Sequence, residues 1–454
     1  MTLPKLIVTP RFPALQAGKD NTVQALIRVQ APSPADDHKR SNLNLAIVID
    51  RSGSMHGQPL NEAKRCAEFV VDRLGPEDRA ALIAYDNRIN RLVPLTKVTD
   101  KARFRHALNR MRSGGSTNLH GGWLEGAEQV SANVSGDSIT RVILLSDGQA
   151  NCGLIDDAAI ADQCAKLAEA GVSTSTYGLS HHFNEELMIR MAKAGQGNSY
   201  YGETAEDLMD PFQEEFELLA ALCNKRLRLS VESPQGVPVK ILNKLEVDSD
   251  GDSQLPDLAY GSEAWALAQL KLPAMLCGKG DGRSGVEVMT VKVRMQDLDG
   301  VELQLPTETL SLPSVSETAW DAVEESKTAS SRVNEMRAAN LLDEATAAAE
   351  RGDWDRILEI QVKVRQSAAD DPYLGEVAAN LEGLARRRER EAYRKEARYT
   401  RYKMRRQLEP QMDGADASPV MHSPDAPMYL RRKVAQGKDE RTKRQRRRTR
   451  TSSR

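Results

Sequence analysis

The sequence is poor in aromatic residues and cysteines and has no long apolar segment. Phe, Trp and Tyr make up only 4% of its 454 residues, so we expect cores built mainly from Ala, Val, Ile and Leu. The 5 cysteines are scattered and lack Cys-x-x-Cys spacing, which favours reduced thiols over a disulfide framework. No apolar stretch approaches the roughly 18 residues that would suggest a membrane helix, and the N-terminus lacks the apolar core of a secretory signal. These absences favour a cytoplasmic protein with no membrane span.

The common sequence motifs of hydrolases and nucleotide-binding enzymes are absent too. There is no Gly-x-Ser-x-Gly motif, and no histidine occupies a persuasive position for a catalytic base. The pair Gly114-Gly115 is too short for a phosphate-binding loop and lacks the lysine of such a loop. We therefore predict that the protein is not an enzyme.

The net charge of -2 hides a strong asymmetry along the chain. Residues 431–454 hold 12 Lys/Arg and 2 acids, and residues 386–406 hold 11 Lys/Arg and 3 Glu, so the rest of the chain is acidic, near -20. A basic C-terminal arm of this kind is able to bind nucleic acid or another anionic surface. Tyr393, Tyr399 and Tyr402 lie in the first basic block as a candidate base-stacking set. The alternative is a solvated, helix-forming charge run with a disordered end.

Residues 43–224 alternate between apolar runs and amphipathic helical segments. The runs at 45–49 and 142–145 are continuously apolar, which is typical of central strands that are covered on both faces. Helical segments follow the strands after short connections. This alternation predicts an α/β fold with a doubly wound, mostly parallel, Rossmann-like sheet.

β-type patterns flank the α/β segment on both sides. Residues 1–42 and 225–312 contain alternating strands with Pro, Gly and Asp turns, and no helical signal lies between these strands. The simplest assembly is one β-sandwich into which the α/β segment is inserted. Two unrelated β segments are the alternative.

The C-terminal part is predicted to be helical and then disordered. Residues 316–408 are rich in Ala, Glu and Arg and predict a helix broken at Gly352, a second helix, and a third from Pro372 into the basic block. A plain helical hairpin is preferred over a tetratricopeptide array for the first two helices, because a period cannot be shown from one copy. Residues 409–454 predict a disordered basic tail.

Oxygen-bearing side chains follow the central strands of the predicted sheet. Asp50, Ser52 and Ser54 form an Asp-x-Ser-x-Ser sequence at the end of the first central strand. A Gly-rich loop supplies Thr117, and Asp147 ends the second central strand. Because ligands bind at the carboxyl ends of strands in open parallel sheets, these side chains should converge there. Carboxylates and hydroxyls suit Mg²⁺, and to a lesser extent Mn²⁺ or Ca²⁺.

The combination of these motifs resembles the metal-ion-dependent adhesion site of von Willebrand factor A domains, over residues 43–223. Asp50, Ser52 and Ser54 match the first motif of that site, Thr117 matches its threonine loop, and Asp147 matches its final aspartate. Segments further along the chain resemble a branch that contains inter-alpha-trypsin-inhibitor heavy chains and related bacterial proteins.

The resemblance implies how such a site works and which partners it meets. In that family the hydroxyls bind the metal directly, the aspartates act largely through water, and an acidic side chain of a protein partner completes the shell. We therefore expect a metal-dependent protein–protein interaction module. The resemblance also implies a rival role, because many bacterial proteins of this kind serve as adaptor or chelatase-like subunits beside an AAA+ ATPase. A third hypothesis makes the basic arm primary and the protein a nucleic-acid binder.

Overall fold

The chain folds into two compact units. The structure is a computed structural model that describes residues 3–33, 40–134, 138–147, 149–179, 184–202, 205–277, 281–368, 371–405 and 408–410. Of these, unit 1 comprises the residues up to 33 and from 221 onward, and unit 2 comprises those between 40 and 220.

The strands are, in chain order, β1 (Lys5–Pro10), β2 (Leu15–Gln16), β3 (Asn21–Gln30), β4 (Asn42–Asp50), β5 (Arg79–Tyr85), β6 (Ile89–Lys97), β7 (Ser138–Ser146), β8 (Val172–Leu179), β9 (Gln196–Gly202), β10 (Leu222–Glu232), β11 (Lys240–Ile241), β12 (Ser253–Gln254), β13 (Leu258–Ala259), β14 (Ser262–Leu272), β15 (Asp281–Gln296), β16 (Glu302–Gln304), β17 (Glu308–Val315) and β18 (Leu408–Pro410). The helices are α1 (Gln58–Arg73), α2 (Lys101–Arg110), α3 (Leu119–Ser131), α4 (Asp157–Glu169), α5 (Glu185–Ala194), α6 (Ala205–Ala220), α7 (Glu317–Trp320), α8 (Lys327–Arg351), α9 (Trp354–Ala368), α10 (Pro372–Arg386) and α11 (Arg390–Arg405).

Unit 2 is built on one sheet with the strand order β6-β5-β4-β7-β8-β9. Strand β6 is antiparallel to β5, and the other neighbouring strands are parallel. The chain adds β5 on one side of β4 and β7 on the other, so the strand order reverses at β4. Open α/β sheets form their ligand crevice at such a reversal, beyond the carboxyl ends of the strands. The predicted doubly wound, mostly parallel sheet is confirmed.

Helix α3 packs very closely on this sheet because glycines face it. A Cβ on Gly122 would overlap the ring of Tyr85, and a Cβ on Gly126 would overlap the side chain of Val48. On the same helix, the buried Trp123 donates from its indole nitrogen to Thr174 Oγ1 at 3.0 Å. The close approach fixes α3, and with it the loop that precedes it, against the ends of β4 and β5.

The sheets of unit 1 combine strands from both ends of the chain. One sheet has the order β1-β3-β14-β11, with β18 also paired to β14, and the other has the order β12-β10-β15-β17-β2. Strand β3 pairs along its whole length with β14, and β2 pairs with β17. Strands that precede unit 2 in sequence therefore share sheets with strands that follow it, as the predicted insertion requires.

The strand β17 was not predicted from the sequence. Its buried residues alternate with exposed ones, as at Leu310 and Leu312, but Pro313 lies within the strand. Pro313 is opposite Gly285, beside a shift in the register between β15 and β17. Proline is tolerated in sheets at such irregularities, because no ladder hydrogen bond is lost there.

Four helices, α8 to α11, share one hydrophobic core with the β3–β14 sheet, to which Leu26, Trp265 and Leu267 contribute. Helix α8 ends at Gly352, whose φ of 73° is the left-handed conformation that glycine adopts freely. The predicted third helix begins at Pro372 as expected, but it ends at Arg386, the first residue of the basic block, and a separate helix carries most of that block. The helix breaks after Arg386, where Arg388 has a φ of 53°, and the chain turns so that α11 lies against α8.

The chain returns to the sheet after α11. Leu408–Pro410 pairs antiparallel with residues 262–264 of β14, whereas the predicted disordered tail began at residue 409. Residues 411–454, which include the basic segment 431–454, lie outside the described part of the chain. None of the helices in the described ranges combines the length and apolar character that a membrane crossing requires.

Candidate metal site

All five predicted metal ligands lie at the carboxyl edge of the unit 2 sheet. Asp50 is the last residue of β4 and is in register with Tyr85 of β5, while Asp147 directly follows β7. Of the five side chains, only that of Ser54 is exposed; the other four are buried. The edge therefore gathers buried polar groups at the carboxyl ends of the strands, where open α/β sheets form their ligand crevice.

The Asp-x-Ser-x-Ser segment forms a tight turn that collects oxygens on one side. The backbone N–H of Ser52 donates to Asp50 Oδ1 at 2.8 Å, and the hydroxyl oxygens of Ser52 and Ser54 are 3.1 Å apart. A short 3-10 turn over Gly53–Met55 makes this approach possible. The predicted first motif is thus a single cluster of one carboxylate and two hydroxyls.

Backbone hydrogen bonds join the loop of Thr117 to this turn. Gly53 donates its N–H to the carbonyl of Gly115 at 3.0 Å, and Gly114 donates to the carbonyl of Arg51 at 2.9 Å. Gly115 has a φ of 78°, and a Cβ at this position would overlap the side-chain oxygen of Asn87. The loop therefore needs glycine at position 115 for both its conformation and its close packing.

The loop after Asp147 holds Thr117 from the other side. Asn151 accepts the N–H of Thr117 on its side-chain oxygen at 2.8 Å and donates its own N–H to the Thr117 carbonyl at 3.1 Å. Asp147 Oδ1 accepts the N–H of Gln149 at 3.1 Å. Sequence reasoning missed Asn151, because its role depends on a contact between loops that are 34 residues apart.

Two further residues missed from the sequence lie behind Asp50. Ser146 donates its hydroxyl to Asp50 Oδ2 at 2.7 Å, and the Tyr85 hydroxyl lies 3.2 Å from the same oxygen and 3.0 Å from the Ser146 hydroxyl. Burial, followed by the charge of Asp50, holds the pKa of Tyr85 well above its usual range, so this hydroxyl keeps its proton. A polar residue at the end of an apolar strand was the available signal for both.

The electrostatics of this edge favour a cation. Burial, and next the charge of Asp147, raise the pKa of Asp50 to about 6, although hydrogen bonds from Ser146 and Ser52 lower it. In the described residues, Asp50 accepts hydrogen bonds only from neutral donors. The neighbouring Arg51 forms its ion pair with Asp86 instead, at 2.9 Å. In the part of the chain that the structure describes, Asp50 thus has no bonded side-chain cation, and a second buried carboxylate, that of Asp147, acts on its charge.

The donor set of this edge suits a hard ion rather than zinc. Within the described ranges, no group of three or more His, Cys, Asp and Glu side chains is arranged to hold a metal ion. A cation here would depend on hydroxyl oxygens together with two carboxylates, which is the chemistry of magnesium or calcium sites. The residues present therefore fit the predicted Mg²⁺.

The basic block 386–406 has a different environment from the one expected of a nucleic-acid surface. Arg398 pairs with Glu350 of α8 at 2.8 Å, while Arg401 and Arg405 both pair with Asp343, Arg405 at 2.6 Å. These three arginines form ion pairs with acids of the same unit, two of them with the same aspartate.

The prediction that Tyr393 belongs to a base-stacking set is wrong. Its ring is fully buried in the core of the four helices, and Gln361 donates to its hydroxyl at 2.5 Å. An apolar face of α11 is needed to pack the helix on α8, and Tyr393 lies on that face. The side chains of Tyr399 and Tyr402 are outside the described part of the chain.

Comparison with known protein families and sequences gives consistent matches to this region. A family model described as the von Willebrand factor type A domain matches residues 44–214. The chain is 28% identical over 279 residues to the uncharacterized protein sll0103 of Synechocystis sp., an alignment that covers 57% of this chain and 64% of that protein. It is 29% identical over 205 residues to the uncharacterized protein YfbK of Escherichia coli, covering 44% of this chain and 35% of YfbK. Inter-alpha-trypsin inhibitor heavy chain H1 of Mesocricetus auratus is 28% identical over 169 residues, which are 35% of this chain and 18% of the heavy chain. The alignments thus span less than two thirds of the length of these curated relatives.

Two solved structures share the fold over most of the chain. A von Willebrand factor type A protein from Catenulispora acidiphila matches with a TM-score of 0.62 at 16% identity, covering 83% of this chain and 89% of that one. The ArnB paralog VWA2 from Sulfolobus acidocaldarius matches with a TM-score of 0.58 at 17% identity, covering 86% of this chain and 97% of that one. At these identities the likeness establishes the fold alone.

Proposed function

Because a von Willebrand factor type A family model matches residues 44–214, we propose that this protein is a metal-ion-dependent protein–protein interaction module. The proposed metal is Mg²⁺, with Mn²⁺ or Ca²⁺ as substitutes, and the proposed ligand on the partner is an Asp or Glu side chain. The proposal does not include a chemical reaction.

Each of the five residues has a role in this proposal. The hydroxyls of Ser52, Ser54 and Thr117 would hold the ion directly, and Asp50 and Asp147 would hold it through water, as the family resemblance implies. The bound ion supplies a positive centre that attracts a carboxylate. Since three of the five protein groups are neutral, much of the charge of the ion stays available for the partner.

The observation that carries the proposal is the pair of buried carboxylates at the strand reversal. Burial, and next the charge of Asp147, raise the pKa of Asp50, and in the described residues no cationic side chain is bonded to Asp50. Buried charges in proteins are generally paired or bound to a metal. The exposed Ser54 hydroxyl lies 3.1 Å from the Ser52 hydroxyl and connects this buried group to the surface.

A pull-down with the full chain tests this function. The bait is the wild-type protein in buffer with Mg²⁺ or with EDTA, compared with Asp50→Ala, and the retained proteins are identified by mass spectrometry. Asp162→Ala is a matched control, because Asp162 is an exposed aspartate of α4 whose ion pair is with Lys166 on the same helix. We expect one set of partners that needs both Mg²⁺ and Asp50 and that Asp162→Ala retains.

The identity of the partner separates the finer hypotheses. An AAA+ ATPase in the Mg²⁺-dependent set would make the protein an adaptor or chelatase-like subunit. Partners that are retained equally with EDTA and by Asp50→Ala would contradict metal-dependent recognition. Nucleic acid that is retained only while residues 431–454 are present would support the basic-arm hypothesis instead.

A further inference from the structure

Two hydroxyls lie behind the carboxylate of Asp50, within hydrogen-bond distance of it and of each other. The hydroxyls of Tyr85 and Ser146 are 3.0 Å apart, and Asp50 Oδ2 lies 2.7 Å from Ser146 and 3.2 Å from Tyr85. Tyr85, Ser146 and Asp50 are all fully buried. These three groups come from the ends of three adjacent strands, β5, β4 and β7. Their positions are therefore fixed by the sheet itself.

We infer that Tyr85 and Ser146 are positioning residues of the metal site, which orient Asp50 so that only its Oδ1 faces the cation; this inference rests on the proposed function. A carboxylate offers about four acceptor positions, two on each oxygen. The Ser146 hydroxyl donates to Oδ2, the single proton of the Tyr85 hydroxyl goes either to Oδ2 or to the Ser146 oxygen, and the N–H of Ser52 donates to Oδ1. Both hydroxyls thus hold the Oδ2 side of the carboxylate, and Oδ1 faces the Ser52 turn, where the cation would be held.

A buried tyrosine hydroxyl in this sheet does not need a hydrogen-bond partner, so burial alone does not account for the contact between Tyr85 and Asp50. Tyr177 of β8 is also fully buried, and its hydroxyl has no hydrogen-bond partner in the described part of the chain. The Tyr177 ring instead stacks on the ring of Phe212, with the two centroids 4.0 Å apart. The fold thus tolerates an unbonded tyrosine hydroxyl at one strand and bonds one to the carboxylate at another. Tyr177 provides a matched control for the same chemical change.

The test measures metal affinity directly. The dissociation constant for Mn²⁺, used as a probe for the site, is determined from the free-ion electron paramagnetic resonance signal with the full chain. Loss of a residue that orients a metal ligand typically weakens metal affinity roughly 10–100-fold. We expect a loss of that size for Tyr85→Phe and for Ser146→Ala, and wild-type affinity for Tyr177→Phe. Because Tyr85 and Ser146 act on the same oxygen, the double variant should lose less than the product of the two single losses.

A second readout separates positioning from a structural role. Thermal unfolding of the metal-free variants shows whether each is folded; a merely structural hydroxyl would lower the unfolding temperature and leave the Mn²⁺ affinity unchanged. If folded Tyr85→Phe and Ser146→Ala bind Mn²⁺ as tightly as the wild type, the inference is overturned while the proposed function stands. If the wild type binds no Mn²⁺, both are overturned. Should Tyr85→Phe fail to fold, Ser146→Ala decides.

Discussion

The carboxyl edge of the unit 2 sheet and helix α11 of unit 1 are both rich in charged side chains, but these side chains have different kinds of bonding partner. At the sheet edge, Asp50 is buried and feels the charge of Asp147, and the hydrogen bonds that it accepts from described residues come from neutral groups. On α11, Arg398, Arg401 and Arg405 each reach an acid of α8. These arginines are therefore paired within the fold, whereas Asp50 has no bonded counter-charge among the described residues.

This difference indicates which region is prepared for a partner. An ion pair made within the chain has already given up much of its ability to attract a charged ligand, because that ligand must compete with the internal partner. A buried charge that lacks an internal partner is costly unless something external completes it. The sheet edge is therefore the better candidate for a binding site, and Arg398, Arg401 and Arg405 of the basic block serve to hold α11 on α8.

The largest expected effect is on the stability of unit 2, in which a buried glutamate is paired with a buried arginine. Glu215 of α6 is fully buried; it pairs with Arg141 and accepts hydrogen bonds from Ser175 at 2.6 Å and Asn198 at 2.7 Å. Glu215→Ala leaves Arg141 buried without this partner, so we expect the free energy of unfolding to fall by about 3 to 5 kcal/mol. Glu217→Ala, on the more exposed face of the same helix, should cost about 1 kcal/mol or less. Equal losses in chemical denaturation would show that internal neutralisation matters less than we infer.

Substitution of two neighbouring glycines tests whether metal binding depends on the conformation of the Thr117 loop. Gly115→Ala places a side chain in the left-handed region and against Asn87, so we expect a loss of about 1 to 2 kcal/mol in unfolding free energy and weaker Mn²⁺ binding. Gly114→Ala is the matched control, since a Cβ at that position meets nothing within 4 Å. Equal Mn²⁺ affinity of the two variants would show that the Thr117 loop does not contribute to metal binding.

A substitution in α8 tests whether the basic helix is a packing element. Asp343→Asn removes the acid that Arg401, Arg405 and Lys244 share, and should lower the unfolding free energy by about 1 kcal/mol. Glu376→Gln, at an exposed position of α10, should leave it unchanged. If Arg401→Gln leaves the unfolding free energy unchanged but abolishes retention on nucleic acid, the helix is a binding surface and not a packing element.

The smallest expected effect is the pH dependence of the same ion cluster. Burial raises the pKa of Asp343, but hydrogen bonding to Arg405 and the charge of Arg401 outweigh it and hold the pKa below its ordinary value. The cluster therefore stabilises the fold above the unfolded-state pKa of about 3.9, and this contribution is lost as the pH falls through the lower folded value. The stability difference between wild type and Asp343→Asn should shrink on acidification; a difference that grows would contradict this sign.

Local patterns were enough to predict the α/β sheet and the five ligand candidates. The runs at 45–49 and 142–145 become β4 and β7, and the polar residues that follow them lie at one edge because the strands are parallel. The residues that form hydrogen bonds to these candidates could not be predicted in the same way. Tyr85 and Asp50 are 35 residues apart, and Ser146 and Asp50 are 96 apart, so their hydrogen bonds exist only once the strand order is known.

The unpredicted features of unit 1 have a related cause. The basic composition of α11 says nothing about the acids of α8, which lie 48 to 62 residues earlier in the chain. The break between α10 and α11 occurs at Arg388 without a glycine or proline to signal it. In both cases tertiary packing, rather than local propensity, decides the structure.

The most direct test is calorimetric titration of the metal-free full chain with Mg²⁺, in parallel with Asp50→Ala. We predict one binding event per chain for the wild type and none for the variant, with both proteins folded by circular dichroism. Absence of Mg²⁺ binding by the wild type, or equal binding by Asp50→Ala, would contradict the claim that the buried carboxylates at the strand reversal form a metal site.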